Sequence, residues 1–187
     1  DDSLVGFGGG GNATAADGGG VHLESGTLYA RGAGILANRA LGAGGGIYAS
    51  GTSRIELRGW SRIGGPGDIF SNTARAGGGT YLVGYSSLIV SDTSRIIGNH
   101  AGEDGGGIYA EAGASVTLRG GGAEVISNGA AFEGGGAYVT GDGTRLEGRD
   151  GGGRVEGNEA VGSLAGGGGG IYATKGASIE LDRVTLR

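Results

Sequence analysis

The sequence contains no cysteine, no methionine and only one proline. Without cysteine, the chain has no disulfide framework, no thiolate nucleophile and no metal ligand based on sulfur. No apolar run approaches the length that spans a bilayer, and no basic stretch followed by an apolar one marks a leader. We therefore expect no membrane insertion by this segment.

Basic charge is also limited. The chain has 14 Lys and Arg residues against 19 Asp and Glu residues, which gives a formal net charge of −5. The basic residues are nearly all arginine and are scattered singly along the sequence. Because binding to a nucleic acid backbone favours a clustered basic stripe, this pattern argues against nucleic acid as a partner.

Glycine is abundant, at 51 of the 187 residues. The glycines come in clusters and not at every third position, which excludes collagen. Apolar residues make up 37% of the chain and recur at fixed places, which argues against disorder. The glycines therefore mark turns and close approaches of the backbone.

One type of segment recurs along the whole chain. It consists of an asparagine, a glycine triplet and a short apolar and aromatic run, as at residues 38–49. Successive asparagines lie 26, 34, 27, 29 and 30 residues apart, and repeats of this length are typical of solenoids and propellers. The asparagines are Asn12, Asn38, Asn72, Asn99, Asn128 and Asn158.

Each repeat contains three short extended runs, and none of them has a helical period. The first run follows the glycine triplet, at residues 21–23, 47–49, 80–82, 108–110, 137–139 and 171–173. The second run occupies residues 27–30, 54–57, 87–90, 115–118, 145–148 and 178–181. The third run ends on the asparagine, at residues 35–38, 69–72, 96–99, 125–128 and 155–158.

Alternation along these runs predicts which side chains face the interior. In the first run, Ile47 and Ala49 are predicted to point inward and Tyr48 outward. In the second run, residues between the inward ones, such as Glu56, suit solvent. In the third run, we expect the Ile or Val three positions before the asparagine, and the small residue directly before it, to face inward.

Three short strands per repeat with glycine-rich corners predict an all-β fold, a right-handed parallel β-helix or three-sided β-solenoid of about six coils of roughly 29 residues. A propeller blade would need four strands in a longer repeat. The longest repeat requires an insertion, which we place at Trp60 to Asp68. We interpret residues 1–187 as a single domain. Because the chain starts without Met and stops just after a strand-like run, we expect it to be a segment of a longer protein.

Two motifs resemble those of a family of surface proteins. The pairing of Gly-Gly-Gly-Ile-Tyr-Ala with Ile-x-x-Asn-x-Ala is similar to the GGA[ILV] and FxxN repeats of the chlamydial polymorphic outer membrane proteins, and to repeats of large bacterial surface proteins described as right-handed parallel β-helices. The resemblance covers the chain from about residue 12 to residue 187, and it implies a passenger or stalk region of an exported protein, often an adhesin. The chain departs from the family where its Phe is replaced by Ile69, Ile96, Val125 and Val155.

The asparagine column is interpreted as a structural ladder and not as a ligand site. Each asparagine is expected to occupy a corner, to tolerate a left-handed backbone, and to donate its side-chain amide to the asparagine of a neighbouring coil and to the local backbone. The predicted ladder consists of Asn38, Asn72, Asn99, Asn128 and Asn158.

An aromatic column starts at His22 and continues through five tyrosines. Stacked tyrosines would offer flat apolar faces and hydroxyl groups to sugar rings or to a partner protein. Alternatively, the rings only stabilise the sheet by stacking on one another. The candidate binding residues are Tyr48, Tyr81, Tyr109, Tyr138 and Tyr172. A second outward column, which we expect to be covered, is apolar and consists of Leu36, Phe70, Ile97 and Ile126, ending at Glu156.

Carboxylates that recur in the repeats are candidate metal ligands and candidate catalytic groups. Asp17, Asp104 and Glu133 recur before glycine triplets, where calcium binding is conceivable, but a solvated corner fits the interrupted column better. Glu147 and Glu180 fall on outward positions of adjacent coils, the arrangement that glycosidic chemistry would need. The sequence shows no convincing catalytic constellation, so we predict no catalytic residue, no metal and no cofactor.

The sequence therefore predicts a non-enzymatic structural or adhesive module of a secreted or cell-surface bacterial protein. Its expected partners are a glycan or a protein on a host or neighbouring cell, and copies of the chain could also associate end to end. Two alternatives stay open: a carbohydrate-active β-helix of the polysaccharide lyase or hydrolase type, and a subunit of a self-assembling fibre.

Overall fold

The computed structural model describes residues 4–5, 14–65, 71–151, 153–162 and 167–187, so that Asn12 lies outside the described residues. Regular secondary structure within these ranges consists of 25 strands, numbered β1 to β25 in chain order. The described part of the chain has no helix that is long and apolar enough to cross a bilayer.

The strands form four parallel sheets. The first sheet follows the glycine triplets and consists of β3 (Val21–Glu24), β7 (Ile47–Ser50), β11 (Thr80–Val83), β15 (Ile108–Glu111), β19 (Ala137–Thr140) and β23 (Ile171–Thr174). The second sheet consists of β4 (Thr27–Arg31), β8 (Arg54–Arg58), β12 (Ser87–Ser91), β16 (Ser115–Arg119), β20 (Arg145–Arg149) and β24 (Ser178–Leu181).

The other two sheets flank the asparagines. The third sheet consists of β1 (Leu4–Val5), β5 (Gly34–Ile35), β9 (Arg62–Ile63), β13 (Arg95–Ile97), β17 (Glu124–Ile126), β21 (Arg154–Glu156) and β25 (Thr185–Leu186). The fourth sheet, which was not predicted, consists of two-residue strands: β2 (Thr14–Ala15), β6 (Arg39–Ala40), β10 (Thr73–Ala74), β14 (His100–Ala101), β18 (Gly129–Ala130) and β22 (Glu159–Ala160).

Each strand pairs in parallel with its equivalent one coil further along the chain. In the first sheet, for example, Tyr81 lies opposite Tyr109, and Tyr109 lies opposite Tyr138. The six strands of this sheet span five turns between β3 and β23, and every pairing between the described strands is parallel. The predicted fold class, a three-sided parallel β-solenoid, is confirmed, and the fourth sheet adds a narrow strip directly after the asparagines.

The core is a stack of apolar layers, one for each coil. In one layer, Ile108 and Ala110 from the first sheet meet Val116 and Leu118 from the second sheet and Val125 from the third. All five side chains are at most 1% exposed. The period-two pattern of the runs thus places alternate residues inside, and burial of these aliphatic side chains is the main favourable term in folding.

The longest repeat places its third strand earlier than predicted. Strand β9 pairs with β5 on one side and with β13 on the other. The inward position therefore belongs to Ile63, which is fully buried, and the prediction of Ile69 for this position was wrong. The insertion begins after Ile63 and not at Trp60. Its residues 66–70, including Ile69 and Phe70, lie outside the described residues.

The left-handed backbone falls on the residue before the asparagine and not on the asparagine itself. The φ angle is +58° at Ala37, +64° at Gly98, +53° at Ser127 and +60° at Gly157. The expectation that this small residue faces inward was wrong at Ala37, which is half-buried, and at Ser127, which is exposed, whereas Ser71 and Gly98 are buried. The left-handed residue turns the chain, and the side chain that follows it, that of the asparagine, points inward.

The glycine triplets lie where adjacent coils approach too closely for a side chain. A Cβ atom added at Gly106 would lie 2.2 Å from the carbonyl oxygen of Gly129 in the next coil. At Gly78 the corresponding distance to the carbonyl oxygen of His100 would be 2.4 Å. The repeated triplets are therefore a packing requirement of the stacked coils.

Candidate functional site

The predicted asparagines form a continuous column of hydrogen-bonded amides inside the solenoid. At each of four steps, the Nδ2 atom of one asparagine donates to the Oδ1 atom of the asparagine in the next coil, over 2.9 or 3.0 Å. The described column consists of Asn38, Asn72, Asn99, Asn128 and Asn158. The first four are buried, so few of their polar atoms meet water.

The column also satisfies the backbone around it. The Oδ1 atom of Asn99 accepts bonds from both the backbone N–H and the Nδ2 atom of Asn72, at 3.3 and 2.9 Å. The Nδ2 atom of Asn99 donates to the carbonyl oxygen of Ile63 and to Oδ1 of Asn128. A buried amide with two donated and two accepted hydrogen bonds is fully paired, which leaves it no capacity for a ligand.

The aromatic column is a stack of rings on the outside of the first sheet. Adjacent tyrosine rings have centroids 4.7–5.6 Å apart and interplanar angles of 7–24°. His22 caps one end of the stack, with its ring 4.8 Å from that of Tyr48 and tilted by 32°. The stacked tyrosines are Tyr48, Tyr81, Tyr109, Tyr138 and Tyr172.

Stacking changes what the tyrosines present to a partner. Because the ring faces contact one another, a sugar ring could not lie flat on Tyr81, Tyr109 or Tyr138, and only ring edges and hydroxyl groups face outward. The hydroxyl of Tyr81 donates to Glu111. Burial raises the pKa of Tyr81 and Tyr109 above the usual value for tyrosine, and the nearby Glu111 carboxylate raises both further. The hydroxyl groups of both tyrosines are therefore protonated and uncharged at neutral pH.

The acidic residues before the glycine triplets, Asp17 and Asp104, accept hydrogen bonds from the backbone of the next coil. Oδ1 of Asp17 accepts the backbone N–H of Ala43 at 2.7 Å, and Oδ1 of Asp104 accepts that of Glu133 at 3.0 Å. Burial raises the pKa of Asp104, and the carboxylates of Glu133 and Glu103 add to this increase, although the backbone hydrogen bond lowers it. Across the described ranges, no group of three or more His, Asp and Glu side chains is placed to hold a metal ion.

Glu147 and Glu180, the carboxylates of the enzymatic alternative, are opposite each other on β20 and β24. Glu147 forms ion pairs with Arg145 at 3.3 Å and with Arg149 at 2.7 Å, whereas Glu180 is exposed. The two carboxylates are thus brought together by the coil spacing, but one of them is held between arginines.

The second outward column is only partly exposed. Ile97 and Ile126 are half-buried neighbours in the third sheet, followed by the half-buried Glu156. Leu36 is only 8% exposed, contrary to the prediction of an outward stripe. Beside it, Gly64, the first residue of the insertion, donates its backbone N–H to the carbonyl oxygen of Ile35 at 2.8 Å. Phe70, the remaining apolar member of this predicted stripe, lies outside the described residues.

Sequence reasoning missed a cluster of arginines on the second sheet. Glu56, predicted to suit solvent, is only 5% exposed, because the side chains of Arg54 and Arg58 cover its carboxylate. Oε1 of Glu56 lies 2.7 Å from Arg54 and 3.2 Å from Arg58. Burial alone would raise the pKa of Glu56, but the hydrogen bonds from both arginines outweigh it and lower the pKa. The Arg-x-Glu-x-Arg pattern, which alternation places on one face, was the available signal.

Comparisons with protein-family models, curated proteins and solved structures gave no significant match to the chain. The resemblance to the chlamydial repeats is therefore not supported by a matching family. The stacked parallel sheets nevertheless define the class of protein, which is a parallel β-solenoid built from repeated coils.

Proposed function

We propose that the chain is a non-enzymatic structural or adhesive module of a bacterial cell-surface or extracellular protein. In this function it serves as a rigid rod that presents outward residue columns to a partner or to other copies. The observation that carries this proposal is the asparagine ladder, which links the coils from Asn38 to Asn158 through side-chain amides that are buried in all but the last of them.

Stiffness follows from the way each coil is attached to the next. Parallel sheets on all sides, the ladder inside and the tyrosine stack outside all connect the same neighbouring coils. In a solenoid, each repeat contacts only its neighbours, so such nearest-neighbour contacts determine how the rod resists bending and unwinding. Side chains on its surface are then held about 4.8 Å apart along the axis, a fixed spacing for a partner.

The location at the cell surface is supported by sequence and not by a matching relative. The Gly-Gly-Gly-Ile-Tyr-Ala and Ile-x-x-Asn motifs resemble the chlamydial surface repeats, which imply a passenger or stalk region of an exported protein. A rod without an evident catalytic constellation suits a spacer or an adhesin in such a protein.

Native-state hydrogen exchange with light scattering tests the rod. We expect slow exchange of backbone amides throughout the first and second sheets, from β7 to β20, with one shared opening free energy. Exchange that differs between successive coils by several kcal/mol would contradict a rigid rod. Light scattering and electron microscopy of the same sample would show whether copies assemble into filaments.

A carbohydrate-active enzyme is the second candidate, favoured by the pairing of Glu147 with Glu180 across adjacent strands. We expect no release of reducing ends or unsaturated products from acidic polysaccharides. Turnover that disappears in a Glu147→Gln, Glu180→Gln double variant, but persists in a Glu24→Gln control on the first sheet, would replace the structural proposal with the enzymatic one.

A further inference from the structure

The early coils carry arginines on both sides of one turn. Strand β8 ends at Arg58, the turn continues through Gly59, Trp60 and Ser61, and β9 begins at Arg62. In the preceding coil, Arg31 at the end of β4 lies directly opposite Arg58. Tyr29, Arg31, Arg54, Glu56 and Arg58 line an open groove on the second sheet.

Positive charge is in excess at this groove. Glu56 is shared between Arg54 and Arg58, and Asp92 in the following coil accepts the backbone N–H of Gly59 at 2.9 Å. Arg31 and Arg62 are exposed and form no ion pair with the described residues. The groove and the turn that follows it together carry four arginines, with Glu56 and Asp92 as the carboxylates that contact these segments, in a chain whose net charge is −5.

Equivalent arginines elsewhere on the rod are neutralised. Arg119 pairs with Asp150 at 2.7 Å, and Arg154 pairs with Glu124 at 2.6 Å. Arg31, which has no ion-pair partner among the described residues, lies opposite Arg58, which shares Glu56 with Arg54. Like charges on directly opposite strand residues are unfavourable, so an anion bound beside them would be stabilising. A planar guanidinium group is suited to bidentate contacts with carboxylate, sulfate or phosphate.

Two exposed aromatic side chains accompany these arginines. Tyr29 is 69% exposed and lies opposite Glu56, and Trp60 is 57% exposed in the turn between Arg58 and Arg62. Unlike the stacked tyrosines of the first sheet, neither ring has a stacking partner among the described residues. A free aromatic face beside a hydrogen-bonding group suits the apolar face of a sugar ring.

We propose that this groove, lined by Tyr29, Arg31, Arg54, Glu56 and Arg58, binds an acidic polysaccharide together with Trp60 and Arg62 of the turn and strand that follow Arg58. The arginines hold its carboxylate or sulfate groups, and the aromatic rings contact its sugar rings. The inference rests on the proposed function, because it names the partner class that the rod presents. Nucleic acid is disfavoured because its binding depends on neutralising many successive phosphates, and these arginines are confined to two adjacent coils.

The experiment uses Trp60, the only tryptophan in the chain, as its own reporter. The protein is titrated with polygalacturonate, with dextran sulfate, with uncharged dextran and with a single-stranded oligonucleotide. We expect a saturable change in Trp60 fluorescence with one or both acidic polysaccharides, weakened by added salt, and none with dextran. Polygalacturonate alone would identify carboxylate as the recognised group, and dextran sulfate alone would identify sulfate.

Variants then locate the binding site, with circular dichroism to show that each one folds. An Arg31→Gln, Arg62→Gln variant is expected to bind about tenfold more weakly, since each arginine makes a charge-assisted contact. Its control is Arg145→Gln, Arg149→Gln, which removes the same number of positive charges from the Arg-Glu-Arg group three coils away and should leave the affinity unchanged. Glu56→Gln removes a competing carboxylate and should strengthen binding several-fold.

Three results would overturn the inference: no binding to either acidic polysaccharide, equal losses in the two double variants, or equal affinity for the oligonucleotide. A protein that fails to bind but shows uniform hydrogen exchange across its coils would refute the acidic polysaccharide and leave the rod intact. Uneven hydrogen exchange together with intact binding would refute the rigid rod and leave the acidic polysaccharide site in place.

Discussion

The Nδ2 atom of Asn99 donates to the Oδ1 atom of Asn128 over 2.9 Å, and the backbone N–H of Asn99 donates to the same oxygen at 3.0 Å. One oxygen atom thus accepts two hydrogen bonds from the preceding coil. The same arrangement recurs at every described step of the ladder, so each coil fixes the axial position of the next.

Replacing Asn99 with Leu is expected to destabilise the fold by about 2–4 kcal/mol. The substitution leaves the N–H and Nδ2 atom of Asn72 without an acceptor and the carbonyl oxygen of Ile63 without this donor, all in the interior. Urea denaturation gives the change in the free energy of unfolding.

The control for this substitution is Asn158→Leu, because Asn158 is only half-buried and water can replace part of what it loses. Its cost should be smaller than that of Asn99→Leu. An unchanged urea midpoint for Asn99→Leu would show that the ladder does not stabilise the solenoid.

Replacing Gly106 with Ala should cost about 3 kcal/mol or more, or prevent folding. The new Cβ atom would lie 2.2 Å from the carbonyl oxygen of Gly129, and backbone on both sides leaves no flexible group to move. Gly102 belongs to the same coil and would place a Cβ atom no nearer than 3.9 Å to any neighbour. Thermal unfolding of both variants should therefore show a large loss for Gly106→Ala and little for Gly102→Ala.

Most of the fold could be predicted because the same sequence pattern recurs in each coil, so that every coil independently indicates the same strands. Alternation of apolar residues, the glycine triplets and the spacing of the asparagines all agree on parallel stacking, and a register error in one coil would expose its whole apolar set. The fourth sheet was missed because its strands are only two residues long, as in Arg39–Ala40, too short to show a period.

The register error in the longest repeat arose because the third strand was placed by its distance from Asn72 and not by its similarity to the next coil. Residues 61–63 repeat the Ser-Arg-Ile sequence of residues 94–96 and set the true register, but counting back from Asn72 pointed to Ile69. The Arg-x-Glu-x-Arg pattern at residues 54–58 was visible in the sequence, but the groove was missed because Arg31 and Arg58 are 27 positions apart and become neighbours only when the coils stack.

The corrected register predicts a large cost for Ile63→Ala. Ile63 is fully buried in the aliphatic core, so its truncation should destabilise the protein by about 2–5 kcal/mol. Ile97 is the half-buried outward neighbour in the same sheet, and Ile97→Ala should cost clearly less. Equal urea midpoints for the two variants would argue that Ile63 does not occupy the inward position.

The tyrosine stack predicts a loss of stability at alkaline pH. Burial and the Glu111 carboxylate raise the pKa of Tyr81 and Tyr109 in the folded state above the unfolded value of about 10. Above about pH 10 the folded state retains protons that the unfolded state releases. The contribution of these two tyrosines to stability is therefore constant below about pH 10 and is lost as the pH rises beyond it. The urea midpoint measured from pH 8 to pH 12 should show this fall. In Tyr81→Phe, which removes one of the titrating hydroxyl groups, the fall should be shallower, and an equally steep fall would mean that Tyr81 does not contribute.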